Sequence, residues 1–356
     1  GGVRGLIPEN TLEALVLGGG YGRGQGGVLK TTSGDAPYND LEFYVFMRGN
    51  RVLNERTFHP ELEGLGERLS GLAGLHVEFK VDSLERLRRS PVTMFSYDLI
   101  SGHRILSGGE NIFHGCEHHR DAAKISHAEA TRLLFNRCTG LLLAKELLKK
   151  RELTWEDADF IGRNLAKAKL ALGDVILAQA GRYHWNCVKR NKALNELVVQ
   201  GNPDWLNEVR EYHAAGVAFK LHPERIAKSL ESFRAEHEQI SRLANQVWLW
   251  LESRRLGKQF SSVREYALST RDRRRPAGEL CRNLLLNLRT SAIGGALQGA
   301  TRYPRERLLN ALPLLLWEEP LNDLRIKYFL QKELRTGASD WQGFVAAYQA
   351  VWPKFS

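Results

Sequence analysis

The 356-residue chain is poor in sulfur, with two methionines, Met47 and Met94, and four cysteines, Cys116, Cys138, Cys187 and Cys281. The cysteines lie far apart and include no C-x-x-C pair. No disulfide framework is indicated, and the expectation is free buried thiols in a reducing compartment. No apolar run approaches the ~18 residues of a membrane span. The longest candidates, 311–317 and 141–143, have the length of core segments. Neither a signal peptide nor an initiator methionine is visible, so the expected location is the cytoplasm and the start reads as trimmed. Tryptophan is missing from the first 150 residues, and all eight lie beyond them. What is present in quantity is apolar residue (43%) and positive charge (+10). The first makes a sizeable core affordable and excludes wholesale disorder. The second favours polyanionic partners, nucleotides or nucleic acid, without choosing between them.

The texture of the chain changes partway along. Residues 15–17, 41–47, 76–82 and 104–106 are short, apolar or alternating, and rich in Val, Phe, Tyr, Ile and Leu, which predicts strands. Between them, 61–72 carries Leu62, Leu65 and Leu69 at helical spacing, and 83–89 begins with Ser83 as a cap. From about Ser126 apolar residues recur at three and four. Helices are expected near 126–150, 154–180, 186–199, 203–214, 223–254, 262–268, 277–290, 305–316, 320–335 and 339–352, with caps at Ser126, Thr154 and Asp340. The reading is an α+β module with a mixed sheet over 1–118, then an all-α domain over 119–356. The basic turn 271–276 is a possible subdivision of the latter.

The richest segment is Gly18-Gly-Gly-Tyr-Gly-Arg-Gly-Gln-Gly-Gly27, followed by Asn39-Asp40-Leu41-Glu42-Phe43. Backbone N–H groups of a glycine loop can cradle phosphate. Alternate residues of a strand share a face, so Asp40 and Glu42 point the same way, roughly 7 Å apart along the backbone. Such a pair suits a divalent cation, and charges on an otherwise apolar strand are costly to bury without a partner or metal. The bland reading of the pair is a solvated strand end. On a later strand, Glu78, Lys80 and Asp82 alternate onto one face, and Glu78 is favoured over Asp82 as a third carboxylate because Asp82 sits where it can cap the helix from Ser83.

Rival motifs fit less well. Gly22, Gly24 and Gly27 make G-x-G-x-x-G, but a polar excursion follows where a dinucleotide fold needs a helix. No Lys-Ser or Lys-Thr closes the loop as in a P-loop, and the D-F-G that a kinase needs is absent. His114, Cys116, His118 and His119 are too crowded for one tetrahedral zinc and read as a polar linker. Glu129, Arg132 and Asn136 share one helix face, and Arg163, Lys167 and Asp174 line another, opposite Leu165, Ala168 and Leu172. Each stripe reads as a solvated face, or as a roof over a nucleotide with Lys167 and Asp174 in contact with it. Val247–Trp250 reads as core. Arg273–Arg275 lacks interleaved aromatics, so nucleic-acid binding is not favoured.

Taken together, Gly19-Gly20-Tyr21-Gly22-Arg23-Gly24 and the later Asn39-Asp40-Leu41-Glu42 resemble the nucleotidyltransferase superfamily of DNA polymerase β. That superfamily shows G-[GS], a spacer, [DE]-h-[DE], and a third acidic residue on a later strand. Glutamate as the second carboxylate is similar to kanamycin nucleotidyltransferase, and Met94–Gly108 looks like the family's passage from helix to strand. The likeness covers about 12–110. It implies an Mg²⁺-dependent enzyme, with Mn²⁺ as substitute, that moves a nucleoside monophosphate from a triphosphate to a hydroxyl-bearing acceptor and releases pyrophosphate. Asp40, Glu42 and Glu78 would be its catalytic carboxylates and the ligands of two ions, with Gly19, Gly20, Tyr21, Gly22 and Arg23 on the nucleotide. The acceptor, whether small molecule, protein or RNA, is left open. Gly20 stands where the family has serine, and Gln25 where relatives often carry an acidic residue. A non-catalytic nucleotide-binding protein on the same fold is therefore the alternative.

Overall fold

The computed structural model describes residues 2–224, 228–269, 304–318 and 321–354. The helix expected over 277–290, the basic turn 271–276 and Cys281 lie outside the described residues. Contacts divide the chain into two units: Gly1–Ala130 with Gly173–Ile226, and Thr131–Leu172 with Ala227–Ser356. The N-terminal sheet thus shares its unit with residues 173–226, a grouping that no single cut in the sequence produces.

The first unit is built on four strands, β1 (Leu12–Leu17), β4 (Leu41–Met47), β5 (Val77–Asp82) and β6 (Arg104–Ser107), in the order β5-β4-β1-β6. β1 pairs antiparallel with β4 and β6, and β4 pairs parallel with β5, so the sheet is mixed as expected. A second pair, β2 (Gly27–Thr31) and β3 (Gly34–Tyr38), forms an antiparallel hairpin where the sequence reads only as a polar excursion. Period-two alternation divides the main sheet's faces. Val45, Met47, Phe79 and Val81 pack with Leu62 and Leu65 of α3 (Arg51–Ala73). Tyr44 and Phe46 face the other way, onto Leu84 and Leu87 of α4 (Leu84–Arg89) and Leu99 and Ile100 of α5 (Met94–Ser101). Caps fix where these helices start. Asn50 accepts from Val52 and Leu53, Ser83 from Arg86, and Thr93 and Ser96 form a reciprocal box.

The crowded histidines belong to this packing. His119 is buried with Nε2 2.9 Å from the Leu87 carbonyl, and His118 Nε2 lies 3.1 Å from that of Ser90. Both serve the C-terminal carbonyls of α4, which a helix end leaves without internal partners. The remaining helices of this unit are the first turn of α6 (His127–Leu147), the end of α7 (Trp155–Gln179), α8 (Cys187–Glu196) and α9 (Leu206–Leu221).

The second unit is helical among the described residues: the bulk of α6 and α7, then α10 (Leu230–Leu256), α11 (Val263–Leu268), α12 (Pro304–Trp317), α13 (Leu324–Leu334) and α14 (Trp341–Val351). Thr154 and Asp157 exchange hydrogen bonds at the start of α7, and Asp340 caps α14 through the N–H of Gly343. Val247, Trp248 and Leu251 are buried, as the apolar run around them predicts, with Tyr266 and Trp317 edge-on to Trp248. Among the described residues no helix is long and apolar enough to cross a membrane. Cys116, Cys138 and Cys187 are buried free thiols.

Candidate functional site

The glycine loop follows β1 directly. Gly18 donates from N–H to the carbonyl of Glu42 (2.9 Å), and Gly19–Gly22 form a single helical turn, α2. Gly19 has φ +59, and a Cβ there would lie 2.2 Å from Glu42 Oε2. Only glycine tolerates both the left-handed backbone and that contact. The N–H groups of Gly19, Gly20 and Tyr21 are the first of a helical turn and take no backbone acceptor among the described residues. The loop is therefore pressed against a carboxylate with donors to spare.

Asp40 is exposed, one residue before β4, and follows Asn39 in a left-handed conformation (φ 77) that turns the chain out of the hairpin. Glu42 is half-buried. In the parallel register Glu42 faces Glu78, Tyr44 faces Lys80 and Phe46 faces Asp82. Glu42 and Glu78 are thus direct neighbours on one face. Asp82 lies four residues further along and is engaged by Arg86 Nε (2.7 Å) and by the N–H of Ser83 (2.8 Å).

Lys80 changes how this cluster reads. Its ammonium donates to Glu42 Oε1 at 2.8 Å and lies 3.0 Å from Glu78 Oε2, with the Tyr44 ring 5.7 Å away. Burial alone would lower the lysine's pKa, but hydrogen bonds to Glu42 and Glu78 and the neighbouring Tyr44 outweigh it and raise it, so the group is a fixed cation at physiological pH. Among the described residues no three His, Cys, Asp or Glu side chains converge on one point closely enough to hold an ion. The donor set is nonetheless one of hard oxygens, suited to Mg²⁺. The cation that Glu42 and Glu78 share is supplied by the chain itself.

The other residues singled out from the sequence are placed differently. Tyr21's hydroxyl receives the N–H of Tyr38 (2.8 Å) and lies 3.0–3.1 Å from the carbonyls of Tyr38 and Gly27, fastening the β2–β3 hairpin. Arg23 Nη1 donates to Asp98 Oδ2 at 3.1 Å. Gln25 is buried and its Oε1 accepts from the N–H of Cys187 (3.1 Å), so the neutral amide fixes the loop to the first turn of α8. Lys167 is exposed and belongs to the second unit. Asp174 belongs to the first and is buried rather than on a solvated stripe: Arg190 Nε lies 2.8 Å and His213 Nε2 3.0 Å from its Oδ1. Burial would raise this carboxyl's pKa, yet the Arg190 guanidinium and His213 bring it below the usual range.

Arg190 continues the network. Its Nη1 donates to the Tyr183 hydroxyl (2.7 Å) and the His184 carbonyl (3.1 Å), and Tyr183 donates to Asp98 (3.3 Å), which holds Arg23. A run of buried polar groups therefore links α7, the 181–186 segment, α5 and the glycine loop. Lys220 of α9 completes it without a hydrogen bond or ion pair among the described residues. Burial, with Arg190 and Arg23 nearby, pushes its pKa down to about 8 from an ordinary 10.5.

A lysine with a depressed folded-state pKa destabilises the fold below that value, because both states are charged there and only one is desolvated. As pH rises from 8 towards 10.5 the folded protein sheds the proton first and the penalty fades. Lys220→Met should therefore stabilise the protein by on the order of 2 kcal/mol at pH 7 and have no effect above about pH 11, read by chemical denaturation at each pH. An equal gain at both pH values would place the effect in packing instead.

Comparison of the chain with protein-family models, with curated proteins and with solved structures returns no match.

Proposed function

We propose that the first unit is a nucleotidyltransferase, acting on a nucleoside triphosphate in an Mg²⁺-dependent reaction that transfers the nucleoside monophosphate to a hydroxyl acceptor. The observation that carries this reading is the contact between the glycine loop and the strand carboxylates: Gly19 against Glu42, with Glu78 beside it in register and Asp40 two residues back. Asp40, Glu42 and Glu78 would hold the metal. A bound ion would neutralise the leaving pyrophosphate and lower the pKa of the attacking hydroxyl.

The chain's own contribution is positional. The Gly19, Gly20 and Tyr21 N–H groups offer donors to phosphate oxygens beside the carboxylates, where a serine hydroxyl at position 20 is not required. Gly22 allows the turn to close, since a Cβ there would meet the Leu17 carbonyl at 2.1 Å. Gln25 and Tyr21 hold the loop's far end and the hairpin, which leaves the donors on a fixed backbone. Arg23 is oriented by Asp98 and lends positive charge to the loop.

Lys80 takes the position that an ion shared by Glu42 and Glu78 would occupy, so it competes with that ion. Lys80→Met should lower the Mn²⁺ concentration for half-occupancy by about tenfold, measured by paramagnetic titration of free Mn²⁺. Unchanged Mn²⁺ affinity would mean that the lysine and the ion do not share a place.

The reading is tested by incubating the protein with Mg²⁺ and each of the four ribonucleoside triphosphates and following pyrophosphate release. Release that disappears in Asp40→Ala supports it. Triphosphate binding without release in the wild-type protein would favour a non-catalytic nucleotide-binding role.

A further inference from the structure

At the same end of the sheet, but on the far side of β1, the first unit has a cavity of about 720 Å³ that holds none of the three carboxylates and shares only the end of the glycine loop, Gly22 and Arg23, with the proposed transfer site. It is bounded by the end of the glycine loop, the last turn of α5, the residues leading into β6 and the 181–186 segment. Glu42 lies on β4 and His103 immediately precedes β6, with β1 between them. Two strand spacings, about 10 Å, therefore separate the carboxylates from this cavity. Its volume falls within the roughly 300–1,000 Å³ of small-molecule sites.

The lining is chemically one-sided. It has two guanidiniums, Arg23 and Arg120, and no carboxylate. Arg120 is exposed and has no hydrogen-bond or ion-pair partner among the described residues. Arg23 is anchored by Asp98 through Nη1, while its Nε is buried and unpartnered. Four aromatic rings, Trp185, His184, His103 and Tyr97, also line it, with Ile100, Ser101 and glycine backbone between them. Burial lowers the pKa of both histidines, so the rings are neutral at pH 7. His184 Nδ1 accepts from the N–H of Asn186 (2.9 Å), which leaves its Nε2–H as a donor. Trp185 packs its edge on Gly102, where a Cβ would come 2.8 Å from Cε3 and 2.6 Å from Arg23 Cγ. The missing side chain at 102 is what lets the flat ring and the Arg23 stem meet at one wall.

We propose that this cavity is a second ligand site, one that takes a heteroaromatic ring carrying a phosphate, the chemistry of a nucleoside monophosphate. The ring would lie against Trp185, and the phosphate would meet Arg23 and Arg120, as planar guanidiniums favour. The site uses no metal and does not depend on the transfer reaction being correct.

The test is calorimetric titration of the full chain in EDTA with AMP, UMP, adenosine and inorganic phosphate. Both monophosphates should bind, each more tightly than adenosine or phosphate alone. Trp185→Ala and Arg120→Ala should each weaken AMP by about tenfold. Asp40→Asn should leave AMP affinity unchanged. Arg120 is exposed and unpaired, so its substitution keeps the test valid even if Trp185→Ala unfolds. No AMP binding at millimolar concentration would overturn the proposal. So would phosphate binding as tight as AMP, or loss of AMP binding in Asp40→Asn, which would place the nucleotide at the carboxylates.

Discussion

Glu42→Gln should reduce Mg²⁺-dependent pyrophosphate release by about 10³-fold while leaving the fold intact. The substitution keeps the shape of the side chain, which matters because its Oε2 sits where a Cβ on Gly19 would be. It removes the negative charge, and with it the proposed ion ligand, whose effect would be several kcal/mol of transition-state stabilisation. The lost ion pair with Lys80 is half-exposed, so stability should change by less than about 1 kcal/mol. A rate loss with unchanged denaturation is therefore the signature of chemistry at this position. Activity close to wild type would remove Glu42 from the site, and a matching loss of stability would make its role structural.

The second large effect is on stability. Asp174→Ala should destabilise the first unit by about 3–5 kcal/mol, a large part of the 5–15 kcal/mol that holds a typical domain together. Asp174 is the counter-charge of Arg190, whose side chain is 2% exposed, and is also the acceptor for the fully buried His213. Without it the guanidinium remains desolvated, donating to the uncharged Tyr183 hydroxyl and His184 carbonyl. The paired substitution discriminates. In Asp174→Asn with Arg190→Met no charge is stranded, so the double variant should be more stable than Asp174→Asn alone. Additive losses in urea denaturation would show that the two side chains do not act as a pair. Because Arg190 also holds the His184 carbonyl, the single variant should loosen the 181–186 segment and weaken the AMP binding proposed for the adjoining cavity.

Much of the fold is legible in the sequence because its signals are local. The four main strands are short and mostly apolar, alternating cleanly in β5 with Val77, Phe79 and Val81, and Ser83, Thr154 and Asp340 mark helix starts by side-chain chemistry that needs no distant partner. The β2–β3 hairpin is not legible. Its strands hold Gly34, Asp35 and Pro37 in place of a hydrophobic alternation, and it is held from outside by Tyr21. The grouping of 173–226 with the sheet is not legible either, because it rests on pairs far apart in sequence, such as Gln25 with Cys187 and Tyr183 with Asp98.

The site divides in the same way. That Asp40 and Glu42 share a face follows from strand periodicity, and the parallel register sets Glu42 opposite Glu78. Alternation puts Lys80 on the face of Glu78, but alone it does not say that its ammonium lies between the two glutamates. Asp174 on a polar helical stripe reads as solvated until Arg190 and His213 are found against it. Trp185 and His184 sit in a segment without periodicity, and nothing in the sequence joins them to Arg23 and Arg120.

The most direct test of the central claim follows the α-phosphorus. With a triphosphate labelled at the α position and Mg²⁺, the account predicts that the label leaves the nucleotide pool on an acceptor, one pyrophosphate appears per transfer, and both vanish in Asp40→Ala. Release of inorganic phosphate from the γ position, with the α label retained on a nucleoside diphosphate, would contradict it.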